Sequence, residues 1–151
     1  MVRPLVKNRL NQAGFRLTNP RSLVLDILRK TEEHLSAEDV YIQALNITPS
    51  IGLTTVYRAL DLFVQIGMVQ KYDFGEGKAR YELTSNPLKR EHHHHLVCIK
   101  CKTVIDYTNF MNEEIELMKK TEKALSKKHR FQIMHHNIHF YGLCNHCRDK
   151  D

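Results

Sequence analysis

The first half of the chain spaces its hydrophobic residues three and four apart, whereas from Met68 the spacing falls to two; these are the periods of helix and strand. Leu5 to Ala13 reads as a short amphipathic helix closed by Gly14. Asn19 followed by Pro20 predicts an N-cap and a first-turn proline for a second helix carrying Leu23, Ile27 and Leu28. Ser36 with Asp39 resembles a capping box, with Asp where Glu or Gln is usual, and Ala37, Val40, Tyr41, Ala44 and Leu45 supply the apolar stripe of a third helix ended by Pro49. A fourth helix is predicted over Leu53 to Ile66, with Val56, Leu60 and Phe63 inward and Gly67 as its stop. Val69 to Phe74 and Ala79 to Leu83 then flank Gly75-Glu76-Gly77 as a β-hairpin. Helices followed by a hairpin make a winged helix.

The polar stretch after Thr84 contains Asn86-Pro87 and predicts a linker. The expected organisation is therefore a winged-helix domain over 1–84, a linker over 85–91 and a second domain over 92–151. In that second domain, short strands are expected around Leu96 to Ile99 and Thr103 to Tyr107, a helix near Asn109 to Lys128, and a long strand over Phe131 to Tyr141. The fold class is α+β, with an N-terminal helix-turn-helix domain and a C-terminal α/β domain. No solenoid repeat is visible, and His92 to His95 is the one low-complexity tract.

Composition sharpens this picture. A chain of 151 residues with 42% hydrophobic and 26% charged residues has room for one ordinary domain or two small ones. No run approaches the roughly 18 apolar residues of a membrane span, and no signal peptide opens the sequence, so a cytoplasmic protein is expected. The formal charge is +6, and residues 1–30 hold seven basic side chains against Asp26 alone, so that arm carries the whole excess. Such a surface points to a polyanion such as DNA, with a merely solubilising surface as the bland alternative.

Two constellations carry chemistry. Cys98-x2-Cys101 and Cys144-x2-Cys147 are paired-thiolate knuckles suited to tetrahedral zinc, because each tight turn supplies two ligands; four unrelated buried cysteines would have to repeat the same gap by chance. The run His92-His93-His94-His95 leads into a predicted strand, where alternation sends His93 and His95 one way and His92 and His94 the other. Two imidazoles on one face, with Asp106 from the neighbouring strand, can bind a borderline divalent metal; a solvated polar loop is the alternative. On the fourth helix, Thr54, Thr55, Tyr57, Arg58 and Asp61 share the exposed face. Its start is where a helix-turn-helix reads the major groove, with arginine able to bond guanine bidentately.

The stretches GFRLTNPR, SAEDVY, IGLTTVYRALDLF, GKARYEL, HHHHLVCIKC and FYGLC, taken in this order, resemble the ferric uptake regulator family. The resemblance implies a winged helix joined to a C-terminal α/β dimerisation domain, and a homodimer that binds operator DNA when loaded with metal. It places Tyr57 and Arg58 at base contacts and Arg16 at a basic position that reaches the minor groove. It maps a regulatory metal site to His34, Glu82, His93, His95 and Asp106, and an additional site of some members to His92, His94, Glu113 and His136, with Glu114 and Glu116 competing for the Glu113 role. His129, His135, His139 and His146 are left as structural or solvated residues. Structural Zn2+ and a regulatory Fe2+, or Mn2+ or Zn2+, are the implied cofactors. HHHHL and GKARYEL look like iron-uptake regulators, while Asp106 resembles peroxide-sensing members; zinc, manganese and nickel sensors share the same ligands. A metalloenzyme is disfavoured because H-E-x-x-H, H-x-E with P-C-x-x-C, and G-x-S-x-G are all missing from the sequence. A zinc-stabilised interaction or RNA-binding module would explain the cysteines but not the histidine-carboxylate set and winged helix together.

Overall fold

The computed structural model describes residues 3–84, 93–134 and 136–150. The chain divides into two compact units, Met1–Glu91 and His92–Asp151. The proposed linker at 85–91 lies outside the described residues. No helix among the described residues is long and apolar enough to cross a membrane.

The first unit runs α1 (Arg3–Gln12), α2 (Asn19–Arg29), β1 (Leu35–Ser36), α3 (Ala37–Leu45), α4 (Leu53–Gln65), β2 (Val69–Asp73) and β3 (Ala79–Leu83). Helix α2 begins one position earlier than the sequence implies. Thr18, in extended conformation, holds the N-cap position, because its carbonyl accepts the first helical bond, from Ser22 N–H at 2.9 Å, while Asn19 already lies inside the helix ahead of Pro20. Helix α3 carries the expected capping box: the Asp39 N–H donates to Ser36 Oγ at 3.1 Å, and the Ser36 N–H donates to Asp39 Oδ2 at 2.9 Å.

Helix α4 buries Val56, Leu60 and Phe63 completely, turning them into a core shared with Val24, Leu28 and Val40. It ends at Gly67, whose φ of +70° lets the Gly67 N–H reach the Val64 carbonyl at 3.0 Å and the Met68 N–H reach that of Phe63 at 2.8 Å. Helix α1 adds Val6 and Leu10 to the same core. The hairpin forms as expected, with Val69 opposite Leu83 and Asp73 opposite Ala79. The two-residue β1, which the hydrophobic pattern did not reveal, pairs with β3 and completes a sheet of order β1-β3-β2.

The second unit runs β4 (His94–Cys98), β5 (Val104–Tyr107), α5 (Met111–His129), β6 (His139–Gly142) and α6 (Asn145–Arg148). Strand β4 lies between β5, to which it is antiparallel, and β6, to which it is parallel. The long strand expected over Phe131 to Tyr141 is corrected to His139–Gly142. A strand is defined by its ladder, and β4 offers partners only from His95, opposite His139, to Cys98, opposite Gly142. The residues ahead of His139 have the composition of a strand, but the described ones among them have no neighbouring strand in the ladder.

Candidate metal centres and nucleic-acid face

The four cysteines come together where β4 and α6 begin and end their turns. Cys98 closes β4 and Cys144 is the N-cap of α6, with Cys147 inside that helix. Cys101 sits in the turn after β4, where the Cys98 N–H meets the Thr103 carbonyl at 3.0 Å. All four sulfurs lie within 4.8 Å of one another, and none is in a disulfide. Zinc bonds to sulfur of about 2.3 Å in a tetrahedron separate the sulfurs by about 3.8 Å; Cys101 Sγ and Cys144 Sγ are 3.7 Å apart.

The electrostatics of this pocket suit a cation. Backbone N–H groups of Cys144 and Cys101 pull the Cys98 thiol down to about 5, and the Thr103 hydroxyl, 3.2 Å away, lowers Cys101. Burial and the neighbouring sulfurs push Cys147 up to about 12. Four thiolates this close repel one another, and a divalent ion supplies the counter-charge that would hold them.

On one face of the same sheet, His93 and His95 stand with ring centroids 5.1 Å apart. Asp106 is the cross-strand partner of His95, and its Oδ1 lies 3.7 Å from His95 Nε2. Donor atoms of His93, His95 and Asp106 all lie within 4.8 Å of one another. Borderline imidazoles and a hard carboxylate form a donor set for an exchangeable divalent ion rather than a closed thiolate cage.

His94 takes the opposite face, as strand alternation requires. Its Nδ1 lies 2.5 Å from Glu114 Oε2 and 3.2 Å from the Tyr107 hydroxyl, which donates to Glu114 Oε1 at 2.9 Å. Burial and the Glu114 carboxylate raise Tyr107 to about 12. Glu114 rather than Glu113 therefore meets His94, and Glu113 is exposed one position earlier on α5. The His136 ring lies 6.2 Å from that of His94 and bonds Glu122 at 2.6 Å. His92 lies outside the described residues.

In the first unit, β1 and β3 pair and bring His34, just ahead of β1, beside Glu82. His34 Nε2 and Glu82 Oε2 are 2.7 Å apart and both side chains are buried. The rings of Tyr72 and Phe74 meet the imidazole edge-on at 5.5 and 5.4 Å. The imidazole and the carboxylate thus form a close, buried pair of groups that are both of metal-ligating type.

The outer face of α4 presents Thr54, Thr55, Tyr57, Arg58 and Asp61 to solvent, and Arg16 is exposed ahead of α2. The Tyr57 hydroxyl donates to Glu38 Oε1 at 2.6 Å. That bond raises Tyr57 to about 12 and is the largest influence lowering Glu38. Glu38, Tyr107 and the Glu114 contact are features that periodicity and spacing did not single out; each joins residues from separate elements.

The sequence matches the Ferric uptake regulator family over residues 12–141. It is 41% identical to the ferric uptake regulation protein of Neisseria gonorrhoeae over 142 residues, covering 93% of this chain and 92% of that protein. Among solved structures it is similar to the Vibrio cholerae ferric uptake regulator, at 34% identity and a TM-score of 0.68, over 91% of this chain and 98% of the other. It is also similar to the ferric uptake regulator from Pseudomonas aeruginosa with manganese, at 31% identity and a TM-score of 0.72, over 93% and 98%. The ordered motifs, the winged helix and the two kinds of metal donor set agree with these matches, and the chain belongs to the ferric uptake regulator family.

Proposed function

We propose that this chain is a cytoplasmic, metal-dependent transcriptional repressor that binds operator DNA as a homodimer and responds to Fe2+ in controlling iron-uptake genes. The observation that carries this reading is the presence of two chemically different donor sets: four clustered thiols, and imidazoles with carboxylates. Cys98, Cys101, Cys144 and Cys147 would hold a structural Zn2+, whose binding energy is folding energy for the second unit.

His93, His95 and Asp106, with the buried His34 and Glu82, would hold the exchangeable ion. When bound, that ion supplies the positive charge that draws these imidazoles and carboxylates to one centre. His34 and Glu82 belong to the winged-helix unit and the other three to the second unit, so shared occupancy favours whichever arrangement satisfies all five, by differential affinity. Residues 85–91 would act as the linker between domains 1–84 and 92–151. Tyr57 and Arg58, with Thr54 and Thr55, would read the major groove, and Arg16 the minor groove. The additional site would use His92, His94 and His136, with Glu114 in the place expected for Glu113.

Mn2+ or Zn2+ can satisfy the same donors. Asp106, the feature resembling peroxide sensors, keeps a second reading in view in which Fe2+ loading followed by peroxide releases DNA. No step in either reading is catalytic. Selection of random duplex DNA by the purified protein, with and without Fe2+ or Mn2+, tests the proposal. A recovered operator that depends on the added ion is expected; selection of RNA, or of no nucleic acid under either condition, would overturn it.

A further inference from the structure

Strand register places a further imidazole beside the regulatory donors. His139, the first residue of β6, is the parallel partner of His95 on β4, and Asp106 on β5 is the antiparallel partner of the same His95. Residues paired across adjacent strands share a face of the sheet. Asp106, His95 and His139 therefore form one row across all three strands, and the ring of His93, just ahead of β4, meets that of His95.

The ring spacing matches that of two imidazoles on one ion. A metal–nitrogen bond of about 2.1 Å puts an imidazole centroid about 3.2 Å from the ion, so two rings subtending 90° to 109° have centroids about 4.5 to 5.2 Å apart. The His93 and His95 centroids are 5.1 Å apart, and those of His95 and His139 are 5.0 Å apart with planes at 76°. His139 Nδ1 lies 3.4 Å from the Tyr141 hydroxyl, an outer contact of the kind that orients a ligating histidine.

We propose that His139 is a further ligand of the ion held by His93, His95 and Asp106, and that this added imidazole biases the site toward nitrogen-preferring ions over Mn2+. The proposal rests on the reading of His93, His95 and Asp106 as metal donors. More imidazole in the shell favours Fe2+, Co2+, Ni2+ and Zn2+, whereas Mn2+ prefers oxygen.

The test uses the full-length protein with zinc at its cysteines and Co2+ as the probe. His139→Phe keeps a ring packed on His95 while deleting both nitrogens, and His139→Gln provides a second, polar replacement. Zinc content and oligomeric state are checked in each. X-ray absorption of the Co2+-loaded protein should count one imidazole fewer in both variants than in wild type. Co2+ affinity should fall by at least about tenfold, with Mn2+ affinity changing much less. If His93→Ala loses Co2+ but the His139 variants keep the wild-type imidazole count and affinity, His139 is not a ligand and the parent reading stands. If His93→Ala also binds Co2+ as wild type does, the parent reading fails and the proposal with it.

Discussion

The Arg80 guanidinium donates a hydrogen bond to the backbone carbonyl of His34 across 3.0 Å. The same side chain pairs with Glu76 in the β2–β3 loop at 2.5 and 2.8 Å and lies 4.0 Å from Asp39 in the capping box of α3. The hydrogen bond to Glu76 is the largest influence raising Arg80, so its charge persists at every relevant pH. Arg80 thus ties the segment bearing a proposed metal donor to the wing and to the start of α3. Arg80→Gln should leave zinc at the cysteines but weaken metal-dependent operator binding several-fold, in line with roughly 1 kcal/mol for a charged hydrogen bond at a partly solvated site. Fluorescence anisotropy against added Mn2+ checks this, and an unchanged metal titration would contradict it.

The capping box gives a pH-dependent stability test. Burial raises the Asp39 carboxyl, but the Ser36 hydroxyl and N–H outweigh it, and the folded value lies below the ordinary 3.8. Because the folded value is depressed, its contribution is fully present above about pH 4 and is lost as pH falls through the folded value. Ser36→Ala should cost about 1 kcal/mol at neutral pH. In urea unfolding, the gap between wild type and Asp39→Asn should narrow below pH 4; a gap that widens on acidification would contradict the assignment.

Zinc should follow the thiols and not the histidines. Cys98→Ser or Cys144→Ser should release zinc and lower the melting temperature, because metal binding at such a site is coupled to folding. His93→Ala should retain zinc. Metal analysis with a thermal melt on each variant decides it, and a zinc-loaded, wild-type-like Cys98→Ser protein would overturn the four-thiolate site.

The two arginines proposed at DNA should differ in kind. Arg58→Ala should lose on the order of 1 to 3 kcal/mol of operator affinity and relax base preference if its contact is bidentate to guanine. Arg16→Ala should reduce affinity and the salt slope while leaving major-groove preference intact. Binding isotherms across a salt series, on operator and base-substituted duplexes, separate the two; unchanged affinity in both variants would remove the proposed DNA face.

Local chemistry made much of this molecule legible. The Ser36–Asp39 cap, the Val56-Leu60-Phe63 stripe and the two cysteine knuckles are encoded within a few residues, where spacing alone fixes geometry. Alternation along β4 likewise separated His93 and His95 from His94. What stayed hidden depends on distant pairing. Phe131 to Ile138 have strand composition, but the ladder with β4 reaches back only to His139. Glu114, and not Glu113, meets His94 because the phase of α5 is set by its start after Phe110, which has a φ of +60°, and spacing does not encode that phase. The His95–His139 pairing and the Arg80–His34 bond join residues far apart in sequence, and nothing in either local stretch announces its partner.

In the proposed function the histidine-carboxylate donors, and not the thiolates, make DNA binding depend on metal. The most direct measurement is operator affinity as a function of free Fe2+ or Mn2+ for wild type, His34→Ala and His93→Ala, with zinc content verified in all three. Wild type should tighten on the operator as the ion is added, while both variants keep their zinc and lose most of that response. Equal metal responses in all three zinc-loaded proteins would contradict the claim.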